Sequence, residues 1–509
     1  MEALREIISL ITKKRIKKAE LFDESSRNKT SNYYKLFDGI SSQKYDSDEI
    51  AAKDIYNCLP SEKKYLILKT RLKQKLLNTL FFLDYESENV PGHQRAMYEC
   101  TKQLYAVKVL LMNNARRLAI PLAEKTLRVA EEFELTDIVA ECAKIMREHC
   151  SATGQYQEFQ EYKEVAERAE SLLRAENLAE QHLQELVATY VKAKANRSRT
   201  VKLAETFYLS LGDMLQTQNS AKLKWLHLRI KTLFHQFSDD YRAAIETINQ
   251  TEDFQEQTPA FRLPALAEEV ALQKMNYYLH LKDFAAGEAH AQRTAELLAD
   301  SSPNKMVFQE SRFLLAMHTG GYLEAARIFQ AVVGSSGFSQ LSVARRERWC
   351  VFQAYLHYLY KYLKIKEIRP LIQNSKTGFQ LFDFIGAKPG FAKEHRGLNI
   401  AILTIQILFL LEKMNAETLA EYIGEIEKYS RSYPKKDIYF RSECFISLLA
   451  KMRDENFRFY QTRKSLEKMF DEMSSVPMVY HGGIRTLEVL PYETLWGMVL
   501  EKLKNHKYG

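Results

Sequence analysis

The sequence predicts an all-α protein, an α-solenoid of about eight stacked helical hairpins preceded by an N-terminal helical module. Three observations lead to that class. Pro (11) and Gly (18) are scarce among 509 residues, and turn-rich β architectures depend on those residue types. Lys+Arg (73) and Asp+Glu (65) are plentiful and intermixed, as on long solvated helices. Apolar residues recur at steps of three and four along nearly the whole chain, the period of one helix face.

The elements follow in order. Leu4, Ile7, Ile8 and Ile11 form a first amphipathic face, followed by a polar break at 23–31. After a turn near Leu59-Pro60-Ser61, the residues Tyr65, Leu68, Leu72, Leu76, Leu80 and Leu83 form a second, stronger stripe. Residues 1–90 are read as the helical module. From residue 92 helices alternate with short polar breaks, and several junctions pair an aromatic residue with a following helix rich in small residues. These are Gly154-Gln155-Tyr156, Asp239-Asp240-Tyr241-Arg242-Ala243-Ala244, Lys282-Asp283-Phe284-Ala285-Ala286 and Gly320-Gly321-Tyr322-Leu323-Glu324-Ala325. The anchors Tyr241, Phe284 and Tyr322 are 43 and 38 residues apart, and Tyr156 precedes Tyr241 by 85, close to two such units with an unmarked junction near 197–200. Met414-Asn415-Ala416 and Glu455-Asn456-Phe457 look like degenerate junctions in the same phase. A two-helix unit exposes apolar surface on both sides, and stacking the next unit buries it; residues such as Ala244 and Ala325 let the two helices approach closely.

The pattern Gly320-x-Tyr322-x-x-Ala325-x-x-x-Phe329 matches the second half of a tetratricopeptide repeat, and Tyr278 with Phe284 matches another part of it. Over residues 91–475 the chain therefore resembles divergent tetratricopeptide-like repeats. It departs from the family where Gln309, Arg312 and Phe313 hold the positions of Trp, Leu and Gly, no unit has the terminal Pro, and the spacing exceeds the family's period of about 34 residues. The resemblance implies a right-handed superhelix whose concave face takes a protein or peptide, and it names no particular partner.

Two stretches break the repeat. Residues 374–397 interleave Gly378, Gly386, Pro389, Gly390 and Gly397 with Phe379, Phe382, Phe384 and Phe391, an irregular insertion ahead of the most apolar run, 398–411. That run is too short to span a bilayer, which takes about 20 apolar residues, so it is expected inside the protein. Residues 476–509, with Pro477 and Gly482-Gly483, are read as a C-terminal cap with a short helix from Tyr492.

Catalytic patterns are missing from the sequence. There is no H-E-x-x-H, no phosphate-binding glycine loop and no G-x-S-x-G elbow. Cys142, His149 and Cys150 share one helix, but seven or eight residues place them about 10–12 Å apart, too far for one ion. In Gly386-Ala387-Lys388-Pro389-Gly390, Pro389 lacks the amide donor that a phosphate cradle needs. The expectation is no enzyme, no cofactor and no metal. Six scattered cysteines fit a reducing compartment, and Glu2, Arg5 and Glu6 stand where a signal peptide would be apolar. A cytoplasmic protein without membrane insertion is expected.

Two functional readings remain. The first is a non-enzymatic scaffold or adaptor for a protein or peptide partner. Its candidate residues are Arg345 and Arg348, which precede Tyr355, Tyr358, Tyr360 and Tyr362 on one helix, and Lys388, Lys393, His395 and Arg396 in the irregular insertion. Arg and Tyr are favoured at interfaces, and long loops within compact arrays are often functional. The second reading is a regulatory nucleic-acid-binding protein. Residues 1–80 hold 17 Lys+Arg against 11 Asp+Glu and carry most of the net charge of +8. Here the candidates are Lys13, Lys14, Arg15, Lys17 and Lys18, with Lys69, Arg71 and Lys73. Lys69 and Lys73 share one side of their helix while Arg71 and Lys75 share another, so these charges flank the apolar stripe and do not form one cationic track.

Overall fold

The computed structural model describes residues 1–13, 31–42, 44–82, 92–192, 197–295, 297–298, 303–335, 337–338, 341–373, 377, 380, 384, 396–413, 416–431, 440–476 and 488–505. Among these the chain is all-helical, with no strand. It divides into two compact units, 1–174 and 175–509, so residue 90, where the sequence places the end of the first module, falls inside the first unit.

The first unit opens with α1 (Glu2–Lys13), α2 (Asn32–Ser41), α3 (Asp48–Tyr56) and α4 (Lys63–Thr79). The two stripes read from the sequence meet here. Leu4, Ile8 and Ile11 pack with Leu36, Phe37, Ile40, Tyr65, Leu68, Leu72 and Leu76 in one buried cluster, each large side chain contributing about 1.5–3 kcal/mol by leaving water. Gly39 lets Tyr45 close over this cluster, since a Cβ there would stand 2.1 Å from the Tyr45 ring.

A carboxylate ties the module together. Asp48 accepts hydrogen bonds from Tyr65 Oη (2.8 Å), Lys69 Nζ (2.8 Å) and the Met1 amine (3.1 Å). Burial opposes its ionisation, but these donors outweigh burial and hold the carboxyl down at about 2. A depressed folded value means that the stabilisation is complete above the ordinary Asp value of about 3.9 and is lost as pH falls through about 2. In thermal unfolding, the stability gap between the parent and Asp48→Asn is therefore expected to be full at pH 6 and to close towards pH 2. A gap independent of pH would rule this linkage out.

Next come α5 (Gly92–Met112), α6 (Arg116–Glu132), α7 (Thr136–Thr153) and α8 (Tyr156–Lys192). The division between units falls within α8. The second unit continues with α9 (Arg197–Thr217), α10 (Ala221–Phe237), α11 (Tyr241–Gln257), α12 (Pro264–Leu281), α13 (Phe284–Thr294), α14 (Pro303–His318), α15 (Tyr322–Gly334) and α16 (Val343–Tyr362). After the one-turn α17 (Arg369–Ile372) follow α18 (Arg396–Lys413), α19 (Ala416–Arg431), α20 (Phe440–Asp454), α21 (Phe459–Ser474) and α22 (Tyr492–Asn505).

One turn recurs through both units. A residue in the left-handed region follows the end of one helix, and the next helix starts two residues later. Asn114, Glu134, Gly154, Asp239, Lys282 and Gly320 have φ between 52° and 79°. The amide of the following residue donates to the carbonyl five positions back: Ala115 to Leu110, Leu135 to Ala130, Gln155 to Cys150, Asp240 to His235, Asp283 to Tyr278 and Gly321 to Ala316, all at 2.8–3.1 Å. This bond satisfies carbonyls that a helix end leaves open. Asp240 and Asp283 then cap the next helix by accepting from the amides of Ala243 and Ala286, each at 3.0 Å.

The junctions read from Tyr156, Tyr241, Phe284 and Tyr322 are four of these turns, each aromatic being the first residue of its helix. Ala244 and Ala325 are fully buried. Tyr241 stacks on His280 of α12 (centroids 4.2 Å apart), so this aromatic packs against the following pair. Tyr156 departs from the pattern and is largely exposed.

The apolar run becomes α18, buried on nearly every side: Leu398, Ile400, Leu403, Ile405, Ile407, Leu408, Phe409 and Leu411 all belong to the main cluster of the second unit. The same cluster takes in Tyr492, Leu495, Trp496, Val499 and Leu503. The C-terminal helix is thus built into that core.

Candidate partner-binding groove

Most of the residues expected to form a site, or their side chains, lie outside the described residues. Lys388, Lys393 and His395 lie outside the described residues, as do Lys14, Arg15, Lys17 and Lys18. Lys13 ends α1 and Arg396 begins α18, both with side chains outside the description. Arg345 is half-buried in the first turn of α16. Arg348 requires a correction: it is 5% exposed and its Nη1 pairs with Glu310 Oε2 at 2.5 Å, so it faces the interior and offers nothing to a partner. Tyr355 and Tyr358 follow it inward and are buried. On α4, Lys69 is held by Asp48 and Lys75 lies over the Tyr33 ring, while Arg71 and Lys73 are exposed.

The first unit presents a different surface. α5 buries Ala96, Cys100 and Val107, yet its opposite side is also apolar. Met97, Tyr105, Val109 and Met112 lie on one exposed face, which Thr101 and Lys108 share. Met112 is 83% exposed and Tyr105 59%. Phe81, also exposed, extends the face by packing on the Tyr105 ring, with centroids 5.5 Å apart.

This face runs into a groove of about 560 Å³ between α5 and α7. Leu111, Met112, Ile145 and Phe159 supply its apolar lining. Charged residues line it as well. Lys108 Nζ pairs with Glu141 Oε2 at 2.8 Å, and Lys144 bridges Glu141 (3.7 Å) and Glu170 (3.1 Å). The Lys108 bond holds the Glu141 carboxyl below the usual range, against the effect of burial. Arg147 and Glu148 also line the groove and make no ion pair among the described residues. The lining thus sets apolar side chains beside charged groups, Arg147 and Glu148 among them.

The signal for this surface lies in the α5 sequence, where apolar residues occupy two faces of one helix.

No family model, curated protein or solved structure matches the chain. Among the described residues, no group of His, Cys, Asp and Glu could hold a metal ion, and no helix is long and apolar enough to cross a membrane. Cys100, Cys142 and Cys150 are buried as free thiols; burial pushes the Cys142 thiol up to about 12, which removes it from nucleophilic chemistry near neutral pH.

Proposed function

We propose that the protein is a non-enzymatic scaffold or adaptor, a tetratricopeptide-like superhelix of about eight helical hairpins that binds an amphipathic segment of a protein partner on its concave face, in the groove between α5 and α7. The observation that carries this reading is the open apolar face of α5 leading into that groove. Contiguous exposed apolar surface is uncommon on proteins without partners and marks interaction sites. The recurring left-handed turn supports the repeat architecture, as does the packing of alternate helices, α5 on α7 and, within the second unit, α12 on α14.

The test is affinity capture with the full chain as bait, comparing the parent with Tyr105→Ala and Met112→Ala. Both side chains are exposed, so the variants should keep the parent's fold by circular dichroism. Truncating an interface anchor costs about 2 kcal/mol or more, so a specific partner should bind at least tenfold more weakly to each variant. Retention of every partner by both variants would refute the groove assignment. The nucleic-acid reading has less support, because Lys69 is committed to Asp48. It requires salt-sensitive retardation of duplex DNA or RNA that is lost in Arg71→Glu/Lys73→Glu.

A further inference from the structure

A second concave site lies in the second unit and owes nothing to the groove described above. A cavity of about 680 Å³ opens where α16 ends. The chain leaves that helix through Lys364, which has φ +58°, then makes the 3-10 turn Lys366–Ile368 before entering α17. Ile368 and Ile372 are buried and anchor the turn in the core. What the turn presents outward is cationic. Lys361, Lys364, Lys366 and Arg369 line the cavity together with Tyr360, Pro370 and Gln373, and no carboxylate lines it among the described residues.

Among the described residues, Lys364 and Lys366 make no ion pair, and Glu367, next to Lys366, is exposed and does not line the cavity. Arg369 is held in place without being neutralised. Its guanidinium lies 5.9 Å from the Tyr360 ring centroid. With the Gln373 amide oxygen turned towards it, Arg369 Nε donates at 2.9 Å. Holding like charges together around a hollow is unfavourable unless an anion enters.

We propose that this cavity binds an oligophosphate group, two or more linked phosphates, either free or carried by a nucleotide. Charge density and shape select that chemistry. The four cations come from nine consecutive positions and converge on one hollow, which suits a compact polyanion. An acidic peptide spreads its carboxylates at about 3.3 Å per residue and needs a longer trough. A nucleic-acid strand needs a continuous cationic track, whereas this one ends at Pro370 and Gln373. Lysine ammoniums meet phosphate oxygens as point charges, and the arginine fork adds a bidentate contact.

The test is calorimetric titration of the full chain with sodium tripolyphosphate at low ionic strength. One saturable site is expected, weakening as salt is raised. Lys364→Glu/Lys366→Glu should lower the affinity at least tenfold, and Arg369→Ala should lower it severalfold, with circular dichroism unchanged because all three side chains are exposed. A parallel titration with ATP separates the sources. Equal affinity assigns the site to the phosphates alone, and tighter binding that is lost in Tyr360→Ala assigns it to a nucleotide. The proposal is overturned by no saturable binding of either probe, by binding that survives the double reversal, or by tighter binding of a poly-glutamate peptide or of duplex DNA. Tyr105→Ala should leave tripolyphosphate binding intact, so failure of the groove reading and failure of this one are told apart.

Discussion

Arg441→Ala is expected to destabilise the second unit by about 3–5 kcal/mol, the cost of leaving a buried carboxylate without its counter-charge. Arg441 sits in α20 at 8% exposure with every donor of its guanidinium engaged. Nε and Nη2 take the two oxygens of Glu488 at 3.1 and 2.8 Å, and Nη2 also reaches Glu493 at 2.8 Å. Nη1 donates to the carbonyls of Met473 (3.0 Å) and Val476 (2.7 Å). One side chain thereby fastens the end of α21 and the start of α22 to α20. Glu488 also accepts from the Tyr492 amide at 2.9 Å, and its carbonyl stands 2.6 Å from His318 Nε2. Arg441→Lys should fall nearly as far, because an ammonium has three donors and cannot span the fork.

Hydrogen exchange checks the mechanism. In Arg441→Ala, protection of α22 should be lost ahead of α10 and α11. A loss of under 1 kcal/mol, or uniform loss of protection, would show that the network does not hold the C-terminal segment. Acid should act in the same direction. Burial raises the Glu493 carboxyl, but the Arg441 bond and charge outweigh it and hold it below its usual value. Its contribution is therefore complete above about pH 4.3 and is lost as pH falls through the folded value. Burial lowers His318, so its contribution begins to fade as pH drops through about 6.5.

The parts of the fold legible in the sequence are those written in local patterns. Helix period and the scarcity of Gly and Pro gave the all-α class, and the aromatic residues at 241, 284 and 322 mark true helix starts because they anchor tight turns. Other turns of the same geometry were silent. At Asn114 and Glu134 a polar residue takes the left-handed conformation where glycine would have announced it. Nor did anything local reveal that α8 runs for 37 residues, since its polar spacing resembles that of its neighbours. The candidate sites suffered more. Arg345 and Arg348 are three residues apart in sequence and look equivalent, yet one is half-buried on α16 and the other sealed inside it. The difference lies in Glu310, which is 38 positions away. The α5 face was visible as pattern, but its meaning depends on which of two apolar faces the neighbouring helices cover.

The Arg348–Glu310 pair yields the second large effect and decides the status of Arg348. Both residues are nearly fully buried, at 5% and 1% exposure, and the ring of Trp349 beside them is completely enclosed. Among the described residues, Glu310 Oε1 and Trp349 Nε1 have no hydrogen-bond partner, so the pair is incompletely satisfied there. Two charges in that setting repay their desolvation poorly. Arg348→Met should cost about 3–5 kcal/mol, because it strands the Glu310 carboxylate, and Glu310→Met should cost a similar amount by stranding the guanidinium. The double variant should recover most of the loss and come out level with the parent or up to about 1–4 kcal/mol more stable, as when well-packed apolar side chains replace a buried ion pair. Denaturant unfolding of all four proteins closes the cycle, and a coupling energy above about 2 kcal/mol is expected for groups in direct contact. If Arg348→Met alone costs under 1 kcal/mol, the guanidinium reaches water in solution, and Arg348 returns to the set of residues that a partner could touch.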